Sequence, residues 1–229
     1  MLKNLAKPIM QKTKIKILHQ SENEIIVFKP AGIATQLSND IKGSSLENIL
    51  KKQLRVNDLF FPHRLDRITS GLILIALSKE AVTFYGEEIK SKHFQKYYVA
   101  QVENNTENIR SLIGTHKRYL KIEGNVNTIV HSGGKPSFLD ILSIEPSLKN
   151  KDHYVVFIRL ITGRMHQIRV MLADLGIPLY GDHLYNKKAG SKDRLGDNFY
   201  LESIILKFKD MDENYHTIYS SPEHLKYLS

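Results

Sequence analysis

In the run His63-Arg64-Leu65-Asp66-Arg67 a carboxylate has one arginine two positions before it and another directly after it. Within five residues the chain turns apolar, residues 71–78 reading GLILIALS. Two readings fit this stretch. An exposed arginine–aspartate loop would be worth only about 0–1 kcal/mol and would carry no function. A carboxylate set against the start of a buried strand must instead be paired, and in a pocket such a group serves as a nucleophile or a base. Local sequence leaves both open.

A second concentration of polar groups is TGRMHQIRVML, with Arg164, His166, Gln167 and Arg169 in six positions at a strand-to-helix junction. His166 and Arg169 are three apart, which places them on neighbouring parts of one helical face. Guanidinium forks and an amide at the start of a helix suit a phosphate or a carboxylate; the alternative is a solvated polar face. Tyr97 and Tyr98 follow in KYYVAQV, where strand alternation puts one ring on each side. Packing is the ordinary role of such a tyrosine, so one is expected in the core and the other is available to a ligand.

Other chemistries find less support. The ten histidines show no H-E-x-x-H spacing, and there is neither a Walker A loop nor a G-x-G-x-x-G element. Ser70 precedes Gly71 without a G-x-S-x-G elbow, which speaks against a hydrolase serine. With no cysteine, the chain has no disulfide, thiolate metal site or cysteine nucleophile. A metal-dependent nuclease built on His63, Asp66 and His166 would lack a second carboxylate nearby.

The elements that must position these residues are legible from periodicity. EIIVFKPAG reads as a buried strand entering a Pro-x-Gly turn, and Ser44 or Ser45 as the cap of a helix over LENILKKQL. Residues 71–78 have the pattern of a central strand covered on both faces. A helix with Ala81, Phe84 and Ile89 on its apolar side is expected next, then a strand over QKYYVAQVE. Residues 104–150 read as hairpins or meander strands, and HYVVFIRLITG as another strong strand. After it, Met165, Ile168, Leu172 and Leu175 share a helical face that Gly176 terminates. A polar, glycine-rich loop over 177–198 and a last strand, FYLESIILKFK, complete an α+β, strand-rich reading.

Composition bounds the partners. The 229 residues are 41% hydrophobic and 25% charged, as in folded domains, with a formal net charge of +9. That charge attracts polyanions, and nucleic acid is favoured over membrane because the longest apolar run, LILIAL, is far short of the ~20 residues of a spanning helix. The start lacks a secretory apolar segment, so a cytoplasmic protein is expected. Residues 1–19 carry Lys3, Lys7, Lys12, Lys14 and Lys16 without an acid, forming either a solvated tail or a polyanion contact. The expected organisation is this arm at 1–19 and one catalytic domain over 20–229, acting as a monomer with no obligate protein partner evident.

Taken in order, KPAG (29–32), HRLDRITSGLILIA (63–76), KYYVAQV (96–102), TGRMHQIRVMLADLG (162–176) and PLYGDHLY (178–185) resemble the RluA-type pseudouridine synthases over roughly residues 24–208. The resemblance implies the pseudouridine synthase fold: a mixed, mainly antiparallel sheet with flanking helices and loops around a central cleft. It implies isomerisation of uridine in transfer or ribosomal RNA without metal or cofactor. The family's catalytic aspartate falls on Asp66, its pocket tyrosine on Tyr98 and the arginine paired with the aspartate on Arg169; Arg64 would fill the gap left by a flipped base. His63, Leu65, Arg67, Arg164, His166 and Gln167 are the further expected RNA contacts. Thr35, Gln36 and Met171 depart from the family pattern, with Glu202 near an expected histidine. The alternative on the same fold is a catalytically silent RNA-binding protein.

Overall fold

The computed structural model describes residues 14–37, 44–103, 108–124, 126–148, 152–186 and 200–228. In chain order the elements are β1 (Lys16–Gln20), β2 (Glu24–Lys29), α1 (Leu46–Leu54), β3 (Ser70–Ala76), α2 (Lys79–Lys90), β4 (Gln95–Glu103), β5 (Gly114–Glu123), β6 (Val126–Ile129), β7 (Lys135–Pro146), β8 (His153–Leu160), α3 (Gln167–Asp174), β9 (Leu201–Lys209) and β10 (Tyr215–Tyr219), with short 3₁₀ turns at Ile109–Leu112 and Pro222–Tyr227. The fold is α+β, with a mixed and mostly antiparallel sheet in the order β1-β2-β3-β9-β4-β8-β7-β5-β6; β10 also pairs with β9. Among the described residues no helix is long and apolar enough to cross a membrane. The end of the basic arm belongs to this sheet, because Lys16–Gln20 pairs with β2; Lys3, Lys7 and Lys12 lie outside the described residues.

Near its middle the sheet forks. β3 runs parallel to β9 and meets it only at Ser70↔Glu202 and Gly71↔Ser203. From Ile205 onward that edge of β9 is taken by β10. Gly71 makes the seam possible: its φ is +110°, and a Cβ there would stand 2.2 Å from the Ser203 carbonyl oxygen. Past the fork, the segment leading to Arg64 covers β3. Phe60 and Ala76 exchange backbone hydrogen bonds of 3.0 and 2.8 Å, and the Leu74 N–H donates to His63 Nε2 at 3.1 Å.

β3 is buried on both faces. Ile73 and Ile75 point to the larger core, with α1 (Leu46, Leu50) and α3 (Ile168, Met171, Leu172), whereas Leu72, Leu74 and Ala76 pack against Ala81 and Tyr85 of α2. Each such fully buried aliphatic side chain contributes about 1.5–3 kcal/mol, which makes β3 a rigid footing for the loop before it. Serine caps start the first two helices: Ser45 accepts from the Asn48 N–H and Ser78 from the Ala81 N–H. The third begins later than its apolar spacing predicts. Met165 precedes it, and His166 is its cap in the left-handed region (φ 53°) instead of a member of its face. The cause is a local turn, in which the Gln167 side chain accepts from the Arg164 N–H at 3.0 Å and the Gln167 N–H donates to the Arg164 carbonyl at 3.2 Å.

Candidate active site

Asp66 projects from a loop that is locked on three sides before it reaches the seam. The Thr69 N–H donates to the Asp66 carbonyl at 3.1 Å and closes the turn into β3. Thr35 holds the preceding residue by both backbone groups, its hydroxyl donating to the Leu65 carbonyl (2.8 Å) and accepting from the Leu65 N–H (3.2 Å). Thr35 is one of the departures from the family pattern, and in this chain it supplies the clamp. The turn after β2 supplies the third hold: Gly32 N–H donates to the Arg67 carbonyl and Arg67 Nε to the Gly32 carbonyl, each at 2.8 Å. Beneath them Lys29 is fully buried and donates to the carbonyls of Pro30, Ile33 and Arg67 at 2.9–3.3 Å. Burial lowers the Lys29 ammonium to about 8, with the charge of Asp66 opposing that fall.

The carboxylate faces an open cleft of about 310 Å³ shared with Tyr98, Arg169, Arg64, Arg164 and His166. Strand alternation sends Tyr98 into the main core beside this cleft and Tyr97 to the opposite face, where it stacks on Phe157. Burial, with the charge of Asp66 adding to it, raises the Tyr98 phenol far above its ordinary value, so it stays protonated across the neutral range. Arg169 Nη1 stands 3.9 Å from an Asp66 oxygen. Its tighter partner is Asp182, which accepts from Nε and Nη2 at 2.8 Å each while itself 1% exposed. The Asp182 carboxylate also accepts from the Leu184 and Tyr185 N–H groups, and the Arg169 guanidinium lies over the Tyr185 ring at 5.2 Å. Asp182 thus orients the arginine that opposes Asp66. Sequence reasoning quoted PLYGDHLY but gave this residue no role.

On the far side, the Asn127 N–H donates to the Tyr185 hydroxyl, which is also 3.1 Å from His166 Nδ1. Burial lowers the His166 imidazole, opposed by the charge of Asp66 and assisted by that of Arg169. Thr69 adds a hydroxyl that is buried at the cleft without a partner among the described residues.

Of the expected RNA contacts, His63 and Arg67 lie off the cleft lining, whereas Gln167 and Leu65 are on it with structural roles of their own. His63 turns away from the cleft, its ring 5.4 Å from Phe94 and its Nε2 taken by β3. Burial drops its imidazole to about 3. The trio His63, Asp66 and His166 that a metal-dependent nuclease would need is therefore not assembled. Arg67 ties the loop to Gly32 and lies outside the cleft lining. Gln167 reaches the lining, but its amide is consumed internally: the oxygen accepts from Thr162 and the Arg164 N–H, and the nitrogen donates to the Phe138 carbonyl. Leu65 lines the wall as a buried apolar residue held by Thr35.

The RNA pseudouridylate synthase family model matches residues 23–174. An uncharacterized RNA pseudouridine synthase of Haemophilus influenzae is 29% identical over 198 residues, 85% of this chain and 82% of that protein. An uncharacterized RNA pseudouridine synthase of Bacillus subtilis, YhcT, is 32% identical over 187 residues, 78% and 59% of the two chains. Ribosomal large subunit pseudouridine synthase C of Vibrio parahaemolyticus is 28% identical, over 84% and 61%. Of several of these relatives the chain spans about half to three-fifths of the length. Human RNA pseudouridylate synthase domain containing 1 shares the fold, with a TM-score of 0.75 at 24% identity over 96% of this chain and 88% of that one. The chain belongs to the RNA pseudouridylate synthase family, whose members are isomerases acting on RNA.

Proposed function

We propose that this chain isomerises specific uridines to pseudouridine in ribosomal or transfer RNA, with Asp66 as the catalytic carboxylate. The observation that carries the reading is the convergence, in one cleft, of a carboxylate on a locked loop, an opposed and independently anchored guanidinium, and a protonated phenol. The reaction breaks the bond from C1′ to N1, turns the uracil and rejoins it through C5, with one proton leaving C5 and one arriving at N1. Atoms and electrons balance within the substrate, so the site needs positioned groups only.

The target nucleotide must leave its stack to bring its glycosidic bond to these groups. Arg64 is exposed at the mouth and fills the place of the flipped base. Asp66 acts on the flipped nucleotide, and attack as a nucleophile and elimination promoted by a base both call for a carboxylate at this point. Arg169 compensates its charge from 3.9 Å and, anchored by Asp182, needs no rearrangement as charge develops. Tyr98 offers the uracil a ring and a hydroxyl; held protonated, it orients the base by donating a hydrogen bond and leaves the C5 proton to another acceptor. A binding protein without chemistry would gain nothing from a carboxylate facing a polyanion.

The relative named for the large ribosomal subunit favours ribosomal RNA as substrate, and the reading places the chain in the cytoplasm as a monomer. Mapping pseudouridines across all RNAs of cells with and without this protein tests it. One or a few sites are expected to vanish without it, and identical maps would overturn the assignment.

A further inference from the structure

Two lysines are buried deep in this protein, and they differ in what surrounds them. Lys29 satisfies its ammonium with three carbonyls. Lys96, on β4 two residues before Tyr98 and on the same side of the strand, is 4% exposed, yet among the described residues it has neither a carboxylate nor a carbonyl partner. Burial alone sets its titration and lowers it to about 8. With no counter-ion among the described residues, this charge is one that an anion can complete.

The surroundings show where that anion would enter. The ammonium lies directly beneath Gly163, an exposed residue: a Cβ added there would stand 3.3 Å from Lys96 Nζ. The φ of Gly163 is not one that demands glycine, so what glycine contributes is the missing side chain. The neutral ring of His63 lies close enough to be influenced by the lysine charge. One residue beyond each of these neighbours stand Arg64 and Arg164, both exposed, both on the cleft lining, and neither ion-paired among the described residues. Two exposed arginines of the cleft lining thus stand next in sequence to the two residues that neighbour the lysine charge.

We infer that Lys96 is the floor of a phosphate seat, open at Gly163 and rimmed by Arg64 and Arg164, which takes a backbone phosphate of the RNA beside the flipped uridine. The inference rests on the reading of the cleft as an RNA-modifying site. A lysine serves here as a point charge on the phosphate, while the arginines close over its free oxygens. Seating that phosphate next to Tyr98 fixes the backbone of the target nucleotide and offsets the unstacking that flipping requires. Lys96 is on this account a positioning residue.

The test measures binding of a uridine-containing stem–loop RNA across a salt series, alongside thermal melts, for the wild type, Lys96→Met, Lys96→Arg and Gly163→Val. Lys96→Met is expected to melt no lower than the wild type, since it removes a charge held at 4% exposure with no counter-ion among the described residues, and to bind about tenfold more weakly. Its log–log salt slope should be shallower by about 0.7, the loss of one single-strand phosphate contact. Lys96→Arg should keep the slope. Gly163→Val leaves the lysine in place but covers it, and should reproduce the binding loss even if Lys96→Met folds poorly. Unchanged affinity and slope in Lys96→Met and Gly163→Val would overturn the seat, as would a melting loss in Lys96→Met with binding intact, which marks an ordinary core lysine. Binding needs no turnover: a wild type that binds but modifies no RNA counts against the isomerase reading, whereas a modifying wild type matched by Lys96→Met counts against the seat alone.

Discussion

Asp182 shows how a residue that never touches the cleft can govern it. Its carboxylate, fully buried, takes two hydrogen bonds from Arg169. In Asp182→Asn the arginine keeps its charge and loses its buried, hydrogen-bonded counter-ion, so breaking that pair is expected to cost about 3–5 kcal/mol of stability, read from a denaturant midpoint. His63 gives a prediction of the same grain. Its imidazole is depressed from 6.5 to about 3; between those values the unfolded chain binds a proton that the folded chain refuses, so stability is full above pH 6.5 and is lost as pH falls toward 3. Between pH 7 and pH 5 this removes about 2 kcal/mol. His63→Gln, which keeps an acceptor for the Leu74 N–H, should flatten the loss, and an unaltered acid profile would show that another group controls it. Asp66, Tyr98 and Arg169 were legible as residues because their motifs are local. Asp182 was not: it lies 13 positions beyond its partner in a loop without periodicity. Lys29 and Lys96 stood in quoted motifs, but whether a lysine is buried and what meets its ammonium are properties of packing.

At the scale of elements, the seam between β3 and β9 carries the site. It joins residues more than 130 positions apart through two paired positions, and no periodic pattern announces a parallel contact so short. The strands themselves were legible, since alternation and β-branching are local, as were the caps at Ser45 and Ser78 and the stop at Gly176, whose φ is +81°. The start of α3 was misread because the Gln167 side chain turns the backbone at Arg164 before the helix begins. Two glycines, one in the seam and one inside α2, make a paired prediction. Gly71→Ala puts a Cβ on the Ser203 backbone at a positive φ and should cost more than about 3 kcal/mol, strain and overpacking together. Gly86→Ala, inside α2 with nothing within 4 Å of the new Cβ, should stabilise by about 0.5–1 kcal/mol. Equal midpoints for the two variants would show that the seam is not tight.

For the molecule as a whole, a net charge of +9 attracts polyanions such as RNA of any sequence, and the fork in the sheet sets one carboxylate on the lining of a cleft that also holds Tyr98 and Arg169. On the proposed reading binding and chemistry are separable: attraction follows from the net charge, whereas the reaction depends on Asp66. The most direct measurement incubates RNA from cells lacking this protein with the purified wild type and with Asp66→Asn, and counts pseudouridine by nucleoside chromatography while RNA binding is followed in parallel. The wild type is expected to form pseudouridine, and Asp66→Asn to lose at least about a thousandfold in rate, ~4 kcal/mol of transition-state stabilisation, with RNA affinity largely kept. Pseudouridine formed by Asp66→Asn at the wild-type rate would contradict the account.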